Sequence, residues 1–277
     1  MTKKTDIRTV LVPAKSSKSV KEKSDRKRSV SRRRKYAELG KSLKRCNLLW
    51  LVDKTLSMTH LIEEAKQAST AFFERVSGMD VELNVCWCPY GDYVDYREGG
   101  SSSLLDPHRW TTDLATLKSS IAATTVVNGG DADEAVEYAL AHAVNSQDSI
   151  DAIVLIGDAD PHEQHEAESQ TRQFGVQTNW NLDWRASARQ LGQRGIPVYT
   201  FPLTGECTSV FQEISRKSGG ESGSLESLDR LVDLLALSVL ATKSGGRAVQ
   251  LYLERYGGQM DSESRSFATK LLTQKKS

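Results

Sequence analysis

Three acidic positions carry most of the chemistry offered by this 277-residue chain. Asp53 opens the run Asp53-Lys54-Thr55-Leu56-Ser57, where a carboxylate and two hydroxyls stand at alternate positions. Asp131 follows Asn128-Gly129-Gly130, whose two glycines permit a tight loop. Asp158 follows the apolar run 150–156 and Gly157. Donors that are all oxygen suit hard divalent cations such as Mg2+, Mn2+ or Ca2+. The candidate ligands are therefore Asp53, Thr55, Ser57, Asp131 and Asp158. Asp131 also stands where a helix N-cap is expected, so a capping role sits beside the ligand role.

The elements that must bring these residues together are legible from periodicity. Residues 46–52 (CNLLWLV) form a compact apolar run, as in a strand buried on both faces. Helical spacing follows: Met58, Leu61, Ile62, Ala65, Ala68, Phe72, Phe73 and Val76 share one face, closing near Gly78. Residues 81–88 alternate as a strand, and 150–156 and 196–203 read as two more. Helices are expected over 110–122, 132–144, 184–194, 210–218 and 228–240, with a short strand near 222–225. Strands separated by helices imply right-handed crossovers and a doubly wound, mostly parallel α/β sheet covered on both faces. In such sheets ligands bind beyond the carboxyl ends of the strands, where the strand order reverses. Asp53 and Asp158 lie at two such ends.

The acidic and hydroxyl pattern resembles the von Willebrand factor A (vWA) domain and its metal-ion-dependent adhesion site. That family carries Asp-x-Ser-x-Ser after its first strand, and Asp53, Thr55 and Ser57 match it with Thr in place of the first Ser. Asp158 matches the Asp after its central strand. The vWA domains associated with alpha-kinases are more similar still. Tyr90-Gly91-Asp92-Tyr93, Gly129-Gly130-Asp131-Ala132-Asp133-Glu134-Ala135-Val136 and Asp158-Ala159-Asp160-Pro161-His162 each resemble one of their segments. The resemblance spans roughly residues 46–243 and implies a Rossmann-like vWA fold. It further implies a divalent-cation site and a non-catalytic protein-binding role, with a partner's acidic side chain completing the coordination. Asp131 replaces the second-loop Thr of most vWA domains. Three carboxylates would hold a cation tightly and weaken its pull on an acidic ligand.

Charge divides the chain. Residues 1–45 hold 17 Lys/Arg against four Asp/Glu, a balance of +13, while the remainder stands at −12. The expected organisation is a disordered basic arm over 1–44, a vWA domain over 45–243 and a short helical extension over 244–277. The arm invites non-specific nucleic-acid contact through counterion release, or acts as a solvated tail. It also resembles a nuclear import address if the source is eukaryotic; a cytoplasmic location is otherwise expected. No apolar stretch approaches the ~18 residues of a membrane span. Four cysteines are too few for a disulfide scaffold. Cys86 and Cys88 are expected to be buried on one strand face, and His162 and His165 to be solvated. Trp180 and Trp184 are expected to pack under the 160–179 connection.

An enzymatic alternative is a Mg2+-dependent phosphohydrolase of the haloacid dehalogenase kind, with Asp53 as nucleophile. Its second carboxylate, the general acid/base, would be Thr55 here, which argues against catalysis. A third alternative places the function in the basic arm as a polyanion-binding segment.

Overall fold

The computed structural model describes residues 44–96, 103–130, 132–203, 205–225 and 228–273. The basic arm, save its last residue Lys44, and Asp131 lie outside the described residues. The described chain forms one compact unit beginning at Lys44.

At its centre is a four-stranded sheet of β1 (Lys44–Asp53), β2 (Val81–Tyr90), β4 (Ala152–Gly157) and β6 (Val198–Pro202). The spatial order is β2-β1-β4-β6, and every pairing is parallel. The chain passes from β1 to one side, then crosses back to place β4 on the other. The strand order therefore reverses between β1 and β4, the point at which open α/β sheets form a crevice. Asp53 ends β1 and Asp158 follows β4, so both expected ligands stand at that reversal.

Strand alternation divides the core. Cys46, Leu48, Trp50 and Val52 of β1 face one apolar layer, whereas Leu49 and Leu51 face the other. The first layer is filled by α1 (Thr59–Ser77), α2 (Leu114–Ala122) and α7 (Leu228–Ser244). The second is filled by α3 (Val136–Asn145), α5 (Trp184–Gln193) and α6 (Thr208–Ser218). This is the expected doubly wound, Rossmann-like α/β architecture. Cys86 and Cys88 are buried on the same face of β2, as their spacing predicts. No described helix is long and apolar enough to cross a membrane.

Several elements depart from the sequence expectation. The helix expected over 132–144 begins at Val136, because Asp133–Glu134 form a two-residue strand, β3, paired in parallel with Asp160–Pro161, β5. Its N-cap is Ala135; Asp131, expected at this start, lies outside the described residues. The helix expected from 110 begins at Leu114, capped by the Asp113 carboxylate accepting from the Thr116 N–H at 2.9 Å. Thr111 instead exchanges two backbone hydrogen bonds with Val85. The connection after Asp160 contains a helix, α4 (Gln164–Phe174), fixed at its start by a capping box between Glu163 and Glu166. Ser222 makes a single bridge to Thr200 rather than a strand.

Residues beyond 243 pack back on the body. α8 (Gly246–Tyr256) and α9 (Ser262–Thr273) contribute Val249, Tyr252, Phe267 and Leu271 to the first core layer. A polar cluster reinforces the join. Arg75 of α1 pairs with Asp233 of α7, and Tyr252 of α8 donates to that carboxylate at 2.6 Å.

Candidate metal centre

The turn after β1 is shaped by its own side chains. Asp53 is fully buried, and its Oδ1 accepts a hydrogen bond from the Thr55 N–H at 2.7 Å. The Thr55 and Ser57 hydroxyl oxygens lie 3.2 Å apart. The Asp158 carboxyl is within hydrogen-bonding reach of Asp53. Four of the five expected ligands are thus gathered into one string, Asp158, Asp53, Thr55, Ser57. Thr55 is buried, Ser57 is exposed and Asp158 is half-buried, so the string runs from the interior to the surface.

Asp131, the fifth, lies outside the described residues, but the loop leading to it reaches the same place. Gly129 adopts a left-handed backbone with φ +75, and a methyl group added there would sit 3.6 Å from Thr55 Cγ2. Its N–H donates to Asp95 Oδ2 at 2.7 Å. At Gly130 an added methyl group would collide with Val94 and with Asp92 Oδ2, so only glycine fits.

Burial is the largest influence on Asp53 and pushes its carboxyl up to about 7; the Thr55 donors pull the other way, and the Asp158 charge adds to the rise. The buried Oδ2 of Asp53 accepts no hydrogen bond from a described donor. A buried carboxylate oxygen left in this condition carries a large desolvation cost, which a bound cation would offset. Two carboxylates and two hydroxyls, with water for the remaining positions, fit a hard divalent ion such as Mg2+ or Mn2+. Among the described residues, no three His, Cys, Asp or Glu side chains are grouped to hold a metal ion. A site built from the described residues alone would therefore draw on the Thr55 and Ser57 hydroxyl oxygens beside its carboxylates.

Three residues to which sequence reasoning gave no role shape this centre. The Tyr90 hydroxyl lies beneath it, donating to the Ile156 carbonyl at 3.2 Å. Gly157 makes room for that hydroxyl, since a methyl group added at Gly157 would lie 2.5 Å from it and 3.6 Å from Asp53 Cβ. An apolar run ending in Gly just before the candidate Asp was the available signal. The third is Lys54, between the first two ligands, which is buried at 1% exposure.

Histidine 162 corrects an expectation. It is buried at 2% exposure, not solvated. Its backbone N–H donates to Glu137 Oε2 at 3.1 Å, and its ring packs edge-on against Tyr93, whose hydroxyl donates to Glu137 Oε1 at 2.6 Å. The β3–β5 pairing draws the segment inward, which local polarity does not reveal. His165 is exposed, as expected. Trp184 is buried, and Trp180 packs against Tyr138 and His142.

No family model matches the chain, and no curated protein matches it. Among solved structures, two of proximal thread matrix protein 1 from the mussel byssus are similar at 13% identity and a TM-score of 0.45. They cover 71% and 72% of this chain, which in turn spans 46% and 47% of theirs, less than half of their length.

Proposed function

We propose that this chain is a non-catalytic binding module of the vWA type that docks a partner protein through a face carrying a divalent cation. The observation that carries the reading is the Asp53 carboxylate. It is fully buried at the strand-order reversal, close to a second carboxylate and two hydroxyls, and its Oδ2 meets no described donor. Asp53, Thr55, Ser57 and Asp158 would hold the ion, with Asp131 as a further ligand from the glycine loop. A partner carboxylate would complete the coordination. The ion would supply a Lewis-acidic docking point. Asp53 and Thr55 would fix its position from the interior, and Ser57 and Asp158 would frame its exposed side.

No observation favours the phosphohydrolase alternative, because Thr55 offers a hydroxyl where that chemistry needs a second acid. A role of the basic arm in contacting nucleic acid is compatible with this reading and independent of it.

The test is calorimetric titration of Mn2+ and Mg2+ into metal-free protein, followed by partner capture with and without EDTA. Heat on titration and a melting shift, both lost in the Asp53→Ala/Asp158→Ala double variant, are expected. Absence of both in the wild type would sink the cation-dependent reading.

A further inference from the structure

The residue between the first two candidate ligands is held more firmly than either of them. The Lys54 ammonium donates to the Ser103 carbonyl at 2.5 Å and forms an ion pair with Asp106. Its backbone N–H donates to the Tyr90 carbonyl at 2.7 Å, and its own carbonyl accepts from the Val127 N–H at 3.0 Å. The Asp106 N–H in turn donates to the Pro89 carbonyl at 2.9 Å. One residue thus ties the end of β1 to the end of β2, to the segment 103–106 and to the strand-like entry of the glycine loop. Side chains alternate along extended backbone, so drawing Lys54 to one side commits Asp53 and Thr55 to the other.

A cation next to a cation site is a handicap on Coulomb grounds, since it repels the ion it adjoins. Burying an ammonium also carries a desolvation cost, which only its paired carboxylate and carbonyl offset. We infer that Lys54 is a positioning residue for the cation site. The pair between buried Lys54 and partly exposed Asp106 keeps the Asp53 and Thr55 donors in register with the loop that carries Gly129. This inference rests on the reading of Asp53 and Asp158 as a cation site.

The two effects of Lys54 differ in sign, which makes the test sharp. If Lys54 acts only through its charge, Lys54→Met removes a repulsion and Mn2+ binds more tightly. If it positions the ligands, Mn2+ binds more weakly, by roughly 10–100-fold as for other outer-shell partners of metal ligands. The experiment is Mn2+ titration of the full chain as wild type, Lys54→Met, Asp106→Asn and Lys243→Met, with a melt of each in EDTA. Lys243 pairs with Asp151 at 2.7 Å near the start of β4, the opposite end of the sheet, and so controls for loss of an ion pair as such. Weaker binding in Lys54→Met and Asp106→Asn, with Lys243→Met unchanged, is expected. Unchanged or tighter binding in Lys54→Met overturns the inference. Should that variant fail to fold, Asp106→Asn decides by the same criterion. Failure of the wild type to bind Mn2+ is a separate result, which removes the cation-site reading and this inference with it.

Discussion

Replacing Asp53 by asparagine should stabilise the metal-free protein, although the residue is the centre of the proposed site. The folded state raises the Asp53 carboxyl from 3.8 to about 7, chiefly by burial. Above that value the folded chain must hold a buried charge that the unfolded chain leaves in water. The sign follows directly. Between pH 4 and 7, roughly, the folded state keeps a proton that the unfolded state has released. Stability is therefore greatest at the acidic end, falls across that interval and is level beyond it. One pH unit of displacement is worth about 1.4 kcal/mol, which sets a ceiling on the order of 4 kcal/mol at pH 8. Because Asp158 shares the strain, a gain of roughly 2–4 kcal/mol is expected for Asp53→Asn. In a domain of this size that is a melting rise of roughly 5–10 °C. The asparagine oxygen can still accept from the Thr55 N–H, so the turn keeps its hydrogen bond. The assay is a thermal melt in EDTA at pH 4.5, 6 and 8, repeated with Mn2+. The gain should be small at pH 4.5 and full at pH 8. With Mn2+ the wild type should rise by ligand linkage while the variant does not. A variant no more stable than wild type at pH 8 in EDTA would refute the argument that Asp53 carries an uncompensated buried charge.

Three further outcomes follow from other parts of the fold. Gly157→Ala should cost about 1–3 kcal/mol by overpacking against the Tyr90 hydroxyl, and Tyr90→Phe in the same background should restore part of the loss; an additive double variant would contradict this. Asp233→Ala should lower stability by about 3 kcal/mol, because Arg75 loses its carboxylate and the Tyr252 hydroxyl its acceptor; urea unfolding measures it. Cys46 and Cys86 have thiols pushed up to about 12, first of all by burial, and all four cysteines are buried. Ellman's reagent at pH 8 should therefore label the native protein only on the timescale of unfolding, whereas prompt labelling would show an open thiol.

Much of the architecture is written in local periodicity. The run 46–52 alternates so that Cys46, Leu48, Trp50 and Val52 join one core layer and Leu49 and Leu51 the other, the pattern of a strand buried on both faces. Asp53, Thr55 and Ser57 are also a local matter, since three positions in one turn share a side by geometry alone. The helix over 164–174 was less legible. Only Ala167 and Thr171 of it are buried, so it lacks an apolar stripe, and its start depends on a capping box.

Local periodicity therefore sets the class of the elements and puts oxygen-bearing side chains at the strand ends. Tertiary structure alone decided which ends became neighbours. β1 pairs with β2 across 37 residues (Lys44 to Val81) and with β4 across 104 (Leu48 to Ala152), and no local period encodes either contact. The pairing with β4 puts Asp158 beside Asp53, buries Asp53 and raises its carboxyl. The β3–β5 pairing draws His162 inward beside Glu137, and residues 246–273 join the core through Tyr252 and Phe267. Burial is a property of the assembled layers, so the charge state of a side chain becomes defined only once its distant neighbours are in place.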